Sequence, residues 1–219
     1  MNFKRITVIS GHYGSGKTNI AVNLAMELKK SYNKVALADI DIVNPYFRSK
    51  DSETLLEKNG IKLICSPYAN SNVDIPALPQ EMYSVTDDKT LRAVLDVGGD
   101  DRGALALGRI SPAIKQENDY EMIYVVNFYR PLTQTVDLAI EVMREIETAG
   151  KIKFTSIVNN SNLGKETTKE DVLSSVEKTE ELARAVGLPI KFTSVDENLY
   201  DSLKDEIANL YPISMQKKL

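Results

Sequence analysis

Short apolar runs alternate along this chain with amphipathic segments in which apolar residues recur every three or four positions. The apolar runs are rich in β-branched residues, a pattern typical of strands that are covered on both faces. We therefore predict a set of buried strands connected in part by helices. The predicted strands lie at residues 4–10, 34–40, 61–65, 93–98, 120–127, 153–159 and 190–195.

The amphipathic segments predict helices after several of these strands. The predicted helices run from Lys17 to Lys30, from Pro131 through a stripe that ends at Met143, from Val172 to Val186, and from about Leu199. Strands that alternate with helices form a parallel sheet with helices on both faces. The pattern thus predicts an α/β fold of three layers with a doubly wound, mainly parallel sheet.

The length of 219 residues fits one domain, and we predict a single unit over residues 1–219. The least regular part is the segment 66–91, which holds Pro67, Pro76 and Pro79 and shows weak periodicity. We interpret this segment as an irregular excursion from the domain. It is either a candidate lid or partner surface, or a plain connecting loop.

Charge and cysteine content narrow the function classes. The net charge of −4 and the pI of about 5.2 disfavour general nucleic-acid binding, which requires a basic face. Cys65 is the only cysteine, so the chain has no internal disulfide and a reducing compartment is expected. No apolar stretch reaches the length of a membrane span. We predict a cytoplasmic protein.

The stretch GHYGSGKT directly follows the first predicted strand and precedes the first predicted helix. Gly11, Gly16, Lys17 and Thr18 fit the pattern G-x-x-x-x-G-K-[ST], in which glycines let backbone N–H groups approach phosphate oxygens closely. The helix N-terminus adds its dipole, the lysine reaches the phosphates and the threonine binds Mg²⁺. The sequence therefore predicts a phosphate-binding loop.

Aspartates follow two other predicted strands. Asp39 and Asp41 end the second strand, and Asp96, Asp100 and Asp101 lie at or after the end of the fourth. Carboxylates at the carboxyl ends of parallel strands face the ligand-binding edge of a doubly wound sheet. We expect Asp41 and Asp96 to act at the phosphate site, and the loop with Gly98 and Gly99 to approach the terminal phosphate.

Together, GHYGSGKTNIAVNLA, VALADIDIVNP and VLDVGG resemble the deviant-Walker P-loop ATPases of the MinD/ParA and CobQ/CobB type. The resemblance spans about residues 4–200 and implies a P-loop NTPase fold with ATP and Mg²⁺ as ligands. It implies that Lys17, Asp41 and Asp96 act in catalysis and that Thr18, Asp41 and Asp96 serve the metal. The nucleotide-binding residues that it implies are Gly11, His12, Tyr13, Gly14, Ser15, Gly16, Lys17, Thr18, Asn19, Asn159 and Asn160.

The resemblance also has implications for the nucleobase that is bound and for a second positive charge at the phosphates. Guanine-specific relatives carry Asn-Lys-x-Asp, whereas this chain reads NNSN at 159–162 without an aspartate, which favours ATP. The MinD/ParA group has a second, signature lysine where this chain has His12, and in that group it reaches the nucleotide of a partner subunit. His12 either plays a weaker version of that role or is a surface side chain.

Other residues near this edge are candidates for phosphate charge or partner contact. Each candidate arginine either binds phosphate with its positive charge, within the chain or across a dimer, or is an ordinary surface residue. The aromatic pair Tyr46 and Phe47 is either a partner contact or part of the core. The candidate arginines are Arg48, Arg102, Arg109 and Arg130.

We expect a Mg-ATP-dependent switch ATPase that acts on a partner protein, with a metalloenzyme or redox enzyme as one kind of partner and a homodimer as one arrangement. A small-molecule kinase or ATP-dependent ligase of the dethiobiotin-synthetase kind is an alternative, because that group lacks the signature lysine. A regulator that binds nucleotide without hydrolysis is a third hypothesis.

Overall fold

The computed structural model describes residues 1–40, 53–65, 80–99 and 101–214. Asp41, Arg48, the pair Tyr46 and Phe47, and Asp100 lie outside the described residues, as does the part of the predicted excursion at 66–79. The strands are β1 (Ile6–Ser10), β2 (Val35–Asp39), β3 (Lys62–Cys65), β4 (Arg92–Asp96), β5 (Tyr120–Val126), β6 (Ser156–Asn159), β7 (Ile190–Asp196) and β8 (Leu210–Ile213). The α-helices are α1 (Lys17–Lys29), α2 (Glu53–Lys58), α3 (Ser84–Asp87), α4 (Asp101–Glu117), α5 (Val136–Gly150), α6 (Lys169–Val186) and α7 (Glu197–Leu203).

All eight strands of the described chain form one sheet in the order β3-β2-β4-β1-β5-β6-β7-β8. Every pairing between neighbouring strands is parallel. The predicted doubly wound, parallel α/β fold is therefore confirmed, and all seven predicted strands are present. The sequence pattern missed β8, a short edge strand that contains Pro212.

Alternate residues of the central strands pack into two separate apolar layers, one on each face of the sheet. In β1, Ile6 and Val8 join the layer formed with α4 and α5, whereas Ile9 joins the layer formed with α1. Because side chains alternate across a strand, each strand contributes to both layers. The continuous apolar runs of the sequence are explained by this double coverage.

Helix α4 is the largest element that the sequence analysis missed. No helix was predicted between the fourth and fifth strands, yet Asp101 begins a helix of 17 residues. Gly103, Gly108 and Pro112 lie inside this helix and weaken its pattern. Gly108 lets α4 approach α5 closely, because a Cβ there would lie 2.8 Å from the carbonyl oxygen of Ala149.

Pro131 begins a 3-10 turn over Pro131–Thr133, and not the α-helix that we predicted at this point. Helix α5 starts later, where the Thr135 side chain accepts a hydrogen bond from Leu138 N. The predicted apolar stripe of this helix began at Leu132, which lies in the turn and is 55% exposed, whereas Met143 at its end is buried as expected.

Residues 80–91 form the described part of the predicted excursion. They contain a 3-10 turn at Gln80–Tyr83 followed by α3, and the side chains of Met82 and Val85 are buried in the α4 and α5 layer. This part of the segment is thus packed on the domain. Among the helices of the described residues, none has the length and apolar character needed to span a bilayer.

The layered packing predicts a large difference between two leucine-to-alanine substitutions. Leu37 in β2 is fully buried, whereas Leu105 in α4 is 57% exposed. We expect Leu37→Ala to lower the free energy of unfolding by about 2–5 kcal/mol, because it leaves a cavity. Leu105→Ala should change it by no more than about 0.5 kcal/mol. Urea denaturation measures both, and equal effects would contradict the assigned layers.

Candidate functional site

The loop 11–18 connects β1 to α1 at the carboxyl edge of the sheet. It contains a tight turn in which Ser15 N donates to the carbonyl oxygen of His12 at 3.1 Å. Lys17 Nζ donates to the same oxygen at 3.3 Å, and the Lys17 side chain is buried, with 6% of the residue exposed. A lysine this buried, with no carboxylate partner among the ion pairs of the described residues, is suited to receive an anion.

The N-terminus of α1 has the properties of an anion site. Gly16 occupies the cap position with a positive φ of 87°, no side chain caps this end, and the first turn contains no acidic residue. The first N–H groups of a helix have no partner inside the helix, and the helix dipole favours negative charge there. A phosphate group would satisfy both requirements.

The side chain of Asn160 bonds the backbone of the loop 11–18. Its Nδ2 donates to Ser15 O at 2.6 Å, its Oδ1 accepts from Ser194 Oγ at 2.6 Å, and the residue is 2% exposed. In a trans peptide the C=O and the next N–H point in opposite directions, so the Gly16 N–H faces away from Asn160. A Cβ on Gly16 would overlap Asn160 Nδ2, which explains the glycine at this position.

Asn159 is also engaged inside the protein. Its Nδ2 donates to Ser175 Oγ at 2.8 Å, its Oδ1 accepts from Ser161 N at 3.1 Å, and it is fully buried. In this structure the two asparagine side chains thus connect β6 to α6 and to the loop 11–18. Their contact with a base stays a prediction, and the structure gives both amides structural roles.

Thr18 and Asp96 meet at the edge of the sheet. Thr18 Oγ1 donates to Asp96 Oδ2 at 2.6 Å, and Asp96 is 1% exposed. The strand register sets Asp96 level with Ile9 on β1 and with Asp39 on β2. The structure therefore brings two of the three predicted metal residues together and places Asp39 beside them, while Asp41 follows two residues after Asp39.

The loop after β4 lies directly against the loop 11–18. A Cβ on Gly99 would overlap the carbonyl group of Gly11, and Val97 N donates to Ile9 O at 2.9 Å. The close approach of Gly99 therefore requires glycine. This contact places the loop that follows Asp96 next to the predicted phosphate site.

Two side chains lie at the outer side of the loop 11–18. His12 Nδ1 is 2.8 Å from the carbonyl oxygen of Tyr13, and Arg130 Nε donates to the carbonyl oxygen of Gly14 at 2.9 Å. Tyr13 is 54% exposed, and Asn19 is half-buried in the first turn of α1. Of the other candidate arginines, Arg109 is exposed on α4, and Arg102 lies in the first turn of that helix.

A small cleft, with room for about one water molecule, opens beside the loop at the carboxyl ends of β6 and β7. Its lining includes Asn160, Asn162, Gly164, Ser194 and Asp196. Because Asn160 also bonds the loop, the cleft and the predicted phosphate site share a side chain. In this conformation the cleft is too small to hold a nucleobase.

Sequence reasoning missed Ser194 and Asp196 as lining residues of this cleft. Both lie at the end of β7, and the Asp196 side chain accepts from Asn198 N at 2.9 Å at the start of α7. The sequence does contain a signal for them, because both polar residues lie at the end of a predicted strand. The same rule that selected Asp96 applies to them.

The donors present fit Mg²⁺. Among the described residues there is no group of three or more His, Cys, Asp and Glu side chains that would hold a metal ion by themselves. Mg²⁺ in nucleotide sites uses one or two protein oxygens together with phosphates and waters. The Thr18 hydroxyl and the Asp96 carboxylate supply oxygens of this kind.

We expect Asn160→Ala to weaken nucleotide binding and to destabilise the fold. The substitution leaves Ser15 O without its buried partner, at a cost of about 1–3 kcal/mol in the free energy of unfolding. Calorimetric titration with Mg-ATP and urea denaturation measure the two effects.

Asn59→Ala is the matched control, because Asn59 is exposed and its amide bonds a backbone carbonyl of α2. The control should leave the affinity for Mg-ATP unchanged. Wild-type affinity in Asn160→Ala would show that the loop keeps its conformation without this amide, contrary to its assigned role.

Comparisons with known proteins agree with this geometry. The sequence model of the CobQ/CobB/MinD/ParA nucleotide binding domain matches residues 6–208. No curated protein matches the chain. Similar folds occur in cell division protein FtsY from Thermotoga maritima, which is 22% identical with a TM-score of 0.57, over 88% of this chain and 61% of that one.

Two further solved structures share the fold. The signal recognition particle receptor FtsY from Elizabethkingia anophelis, in complex with GDP, is 17% identical with a TM-score of 0.53, over 90% of this chain and 59% of that one. A nucleotide-binding protein from Archaeoglobus fulgidus, in complex with ADP, is 16% identical with a TM-score of 0.51, over 90% of this chain and 84% of that one. The chain thus spans about three fifths of the length of the two FtsY proteins.

Proposed function

Because the chain belongs to the CobQ/CobB/MinD/ParA nucleotide-binding domain family, we propose that it binds and hydrolyses Mg-ATP at the loop 11–18. The observation that carries this proposal is the loop itself. Its buried Lys17, its helix N-terminus without a cap and its Thr18–Asp96 pair converge on one edge of the sheet. A triphosphate would use all three features.

Each residue has a distinct part in this proposal. The Lys17 ammonium stabilises the negative charge of the phosphates, and the N–H groups of the loop orient them. Thr18 and Asp96 would hold Mg²⁺, directly or through water, and the ion supplies charge neutralisation when it is bound. Asp41, two residues after Asp39, remains the candidate for orienting the attacking water.

The proposed base is adenine. The segment 159–162 lacks the aspartate with which guanine-specific relatives pair the base, and the small cleft beside Asn160 has one carboxylate in its lining. The carboxylate of Asp196 lines this cleft but is already bonded to Asn198 N. We therefore expect ATP to bind more tightly than GTP. One of the similar structures is a complex with ADP and another a complex with GDP. Comparing the affinities of this chain for ATP and GTP therefore tests the proposed base.

We further propose that the nucleotide controls contact with a protein partner, in the reducing cytoplasm. Three large apolar residues near the predicted site are exposed: Tyr13 by 54%, Leu132 by 55% and Leu163 by 46%. They follow the carboxyl ends of β1, β5 and β6, so they lie at the same edge as the loop 11–18. Exposed apolar side chains around a ligand site suit a contact that depends on the ligand.

Lys17→Ala tests the nucleotide site. We expect this variant to bind Mg-ATP about 100-fold more weakly or not at all, because a charged hydrogen-bond donor to phosphate is lost. Calorimetric titration of wild type and variant with Mg-ATP, and of wild type with Mg-GTP, gives the three affinities. Lys30→Ala is the control, since Lys30 follows α1 and pairs with Glu27 at the surface.

Binding of Mg-ATP to Lys17→Ala at wild-type strength would refute the assignment of the loop. Tighter binding of GTP than of ATP would refute only the choice of base. Thermal denaturation of both variants shows whether the fold is retained.

The proposed switch predicts a change of solution mass. We expect light scattering to give the mass of one chain without nucleotide or with ADP, and twice that mass with Mg²⁺ and a non-hydrolysable ATP analogue. Leu132→Ser should weaken this association, because it removes an exposed apolar contact, whereas Leu105→Ser on α4 should not. A constant mass with saturating analogue would refute the homodimer as the partner.

A further inference from the structure

We propose that Arg130 is the second cation of the phosphate site and contacts the outermost phosphate of the nucleotide bound to its own chain. This inference rests on the proposed function of the loop 11–18. It assigns to an arginine after β5 the positive charge that the family's signature lysine would supply from position 12, where this chain has His12.

The backbone of Arg130 is held in a fixed turn. Arg130 N donates to Asn127 O at 3.2 Å, and Thr133 N donates to Arg130 O at 3.0 Å. Asn127 and Thr133 are buried, and Pro131 restricts the chain directly after Arg130. The side chain therefore projects from a rigid position at the carboxyl end of β5, the strand that pairs with β1.

Neighbouring residues fasten this turn to two other elements. Phe128 N donates to Ser161 Oγ at 3.0 Å, after β6, and the Tyr129 hydroxyl donates to Asp171 O at 2.9 Å, in α6. Burial and the nearby Asp171 raise the pKa of Tyr129, so its hydroxyl keeps the proton that this bond uses. The turn thus moves little relative to the sheet.

The Arg130 side chain lies on the loop 11–18 at Gly14. Nε donates to Gly14 O at 2.9 Å, and a Cβ on Gly14 would lie 3.3 Å from Nε and 3.7 Å from Cζ. A larger residue at position 14, which has a φ of +77°, would push the guanidinium away. Arg130 and Lys17 therefore bond carbonyls of the same turn, Gly14 O and His12 O, one at the exposed side and one in the interior.

The charge of Arg130 is available to a ligand. Among the ion pairs of the described residues, none includes Arg130, and the residue is exposed while its Nε bonds Gly14 O. Guanidinium is permanently charged and its fork geometry matches phosphate oxygens. The His12 ring instead contacts the backbone of Tyr13. Arg130 is thus a charged side chain that, like Lys17, bonds the backbone of the loop 11–18.

The test compares Arg130→Ala, Arg130→Gln and Arg130→Lys with wild type, using Mg²⁺ with a non-hydrolysable ATP analogue, ADP, and turnover of ATP. Arg130→Ala and Arg130→Gln should weaken binding of the triphosphate roughly 10- to 100-fold and lower kcat at saturating ATP. Binding of ADP should change by less than about threefold. Arg130→Lys should recover part of the loss, because it retains the charge.

A purely structural role for Arg130 predicts a different pattern. If Arg130 only braced Gly14, ADP and the triphosphate would lose affinity equally, and Arg130→Gln, which keeps an N–H donor, would behave like wild type. Either result overturns the proposal. Arg184→Ala is the matched control, because Arg184 is an exposed arginine in the last turn of α6, at the opposite edge of the sheet.

Mixing Lys17→Ala with Arg130→Ala distinguishes action within one chain from action across a dimer. If each Arg130 serves its own chain, the mixture shows no more activity than the sum of its two components. Recovery of activity would show that Arg130 acts on a partner's nucleotide, which overturns the assignment within one chain. Failure of wild type to bind any nucleotide would refute the proposed function itself, whereas normal triphosphate binding and turnover in Arg130→Ala would refute only this inference.

Discussion

The hydrogen bond from Asn160 Nδ2 to Ser15 O fixes the peptide on which the candidate site depends. It turns the Ser15 carbonyl away from the site and thereby the Gly16 N–H toward it. Without a partner for that buried carbonyl, the loop would lose the conformation that exposes its N–H groups to a ligand. Ser194 completes the arrangement by holding the other end of the same amide.

The parallel sheet brings the remaining groups to this loop. Asp96 is level with Ile9 in the register of β4 and β1, so its carboxylate meets Thr18 at the start of α1. Arg130 follows the end of β5, which lies on the other side of β1, and it bonds Gly14 O. The strands on both sides of β1 thus each deliver one charged side chain, and the short connections after them determine where these side chains lie.

Much of the fold and the centre of the site followed from sequence patterns. Periodicity identified seven strands, and the loop 11–18 with Asp96 followed from motif and strand position. Helix α4 was missed because Gly103, Gly108 and Pro112 weaken its signal, although close packing on α5 requires at least Gly108. The structural role of Asn160 could not be predicted from the sequence, since it depends on a contact with a residue 145 positions away. Long-range hydrogen bonds leave no local periodicity.

The most direct test of this account is a crystal structure of the chain with Mg²⁺ and a non-hydrolysable ATP analogue. The account predicts the phosphates within the loop 11–18, the metal beside Thr18 and Asp96, and Asn160 still bonded to Ser15 O. A nucleotide bound elsewhere would contradict it. So would a loop that rearranges so that Asn160 releases Ser15 O, because the site would then not be formed in advance by the protein.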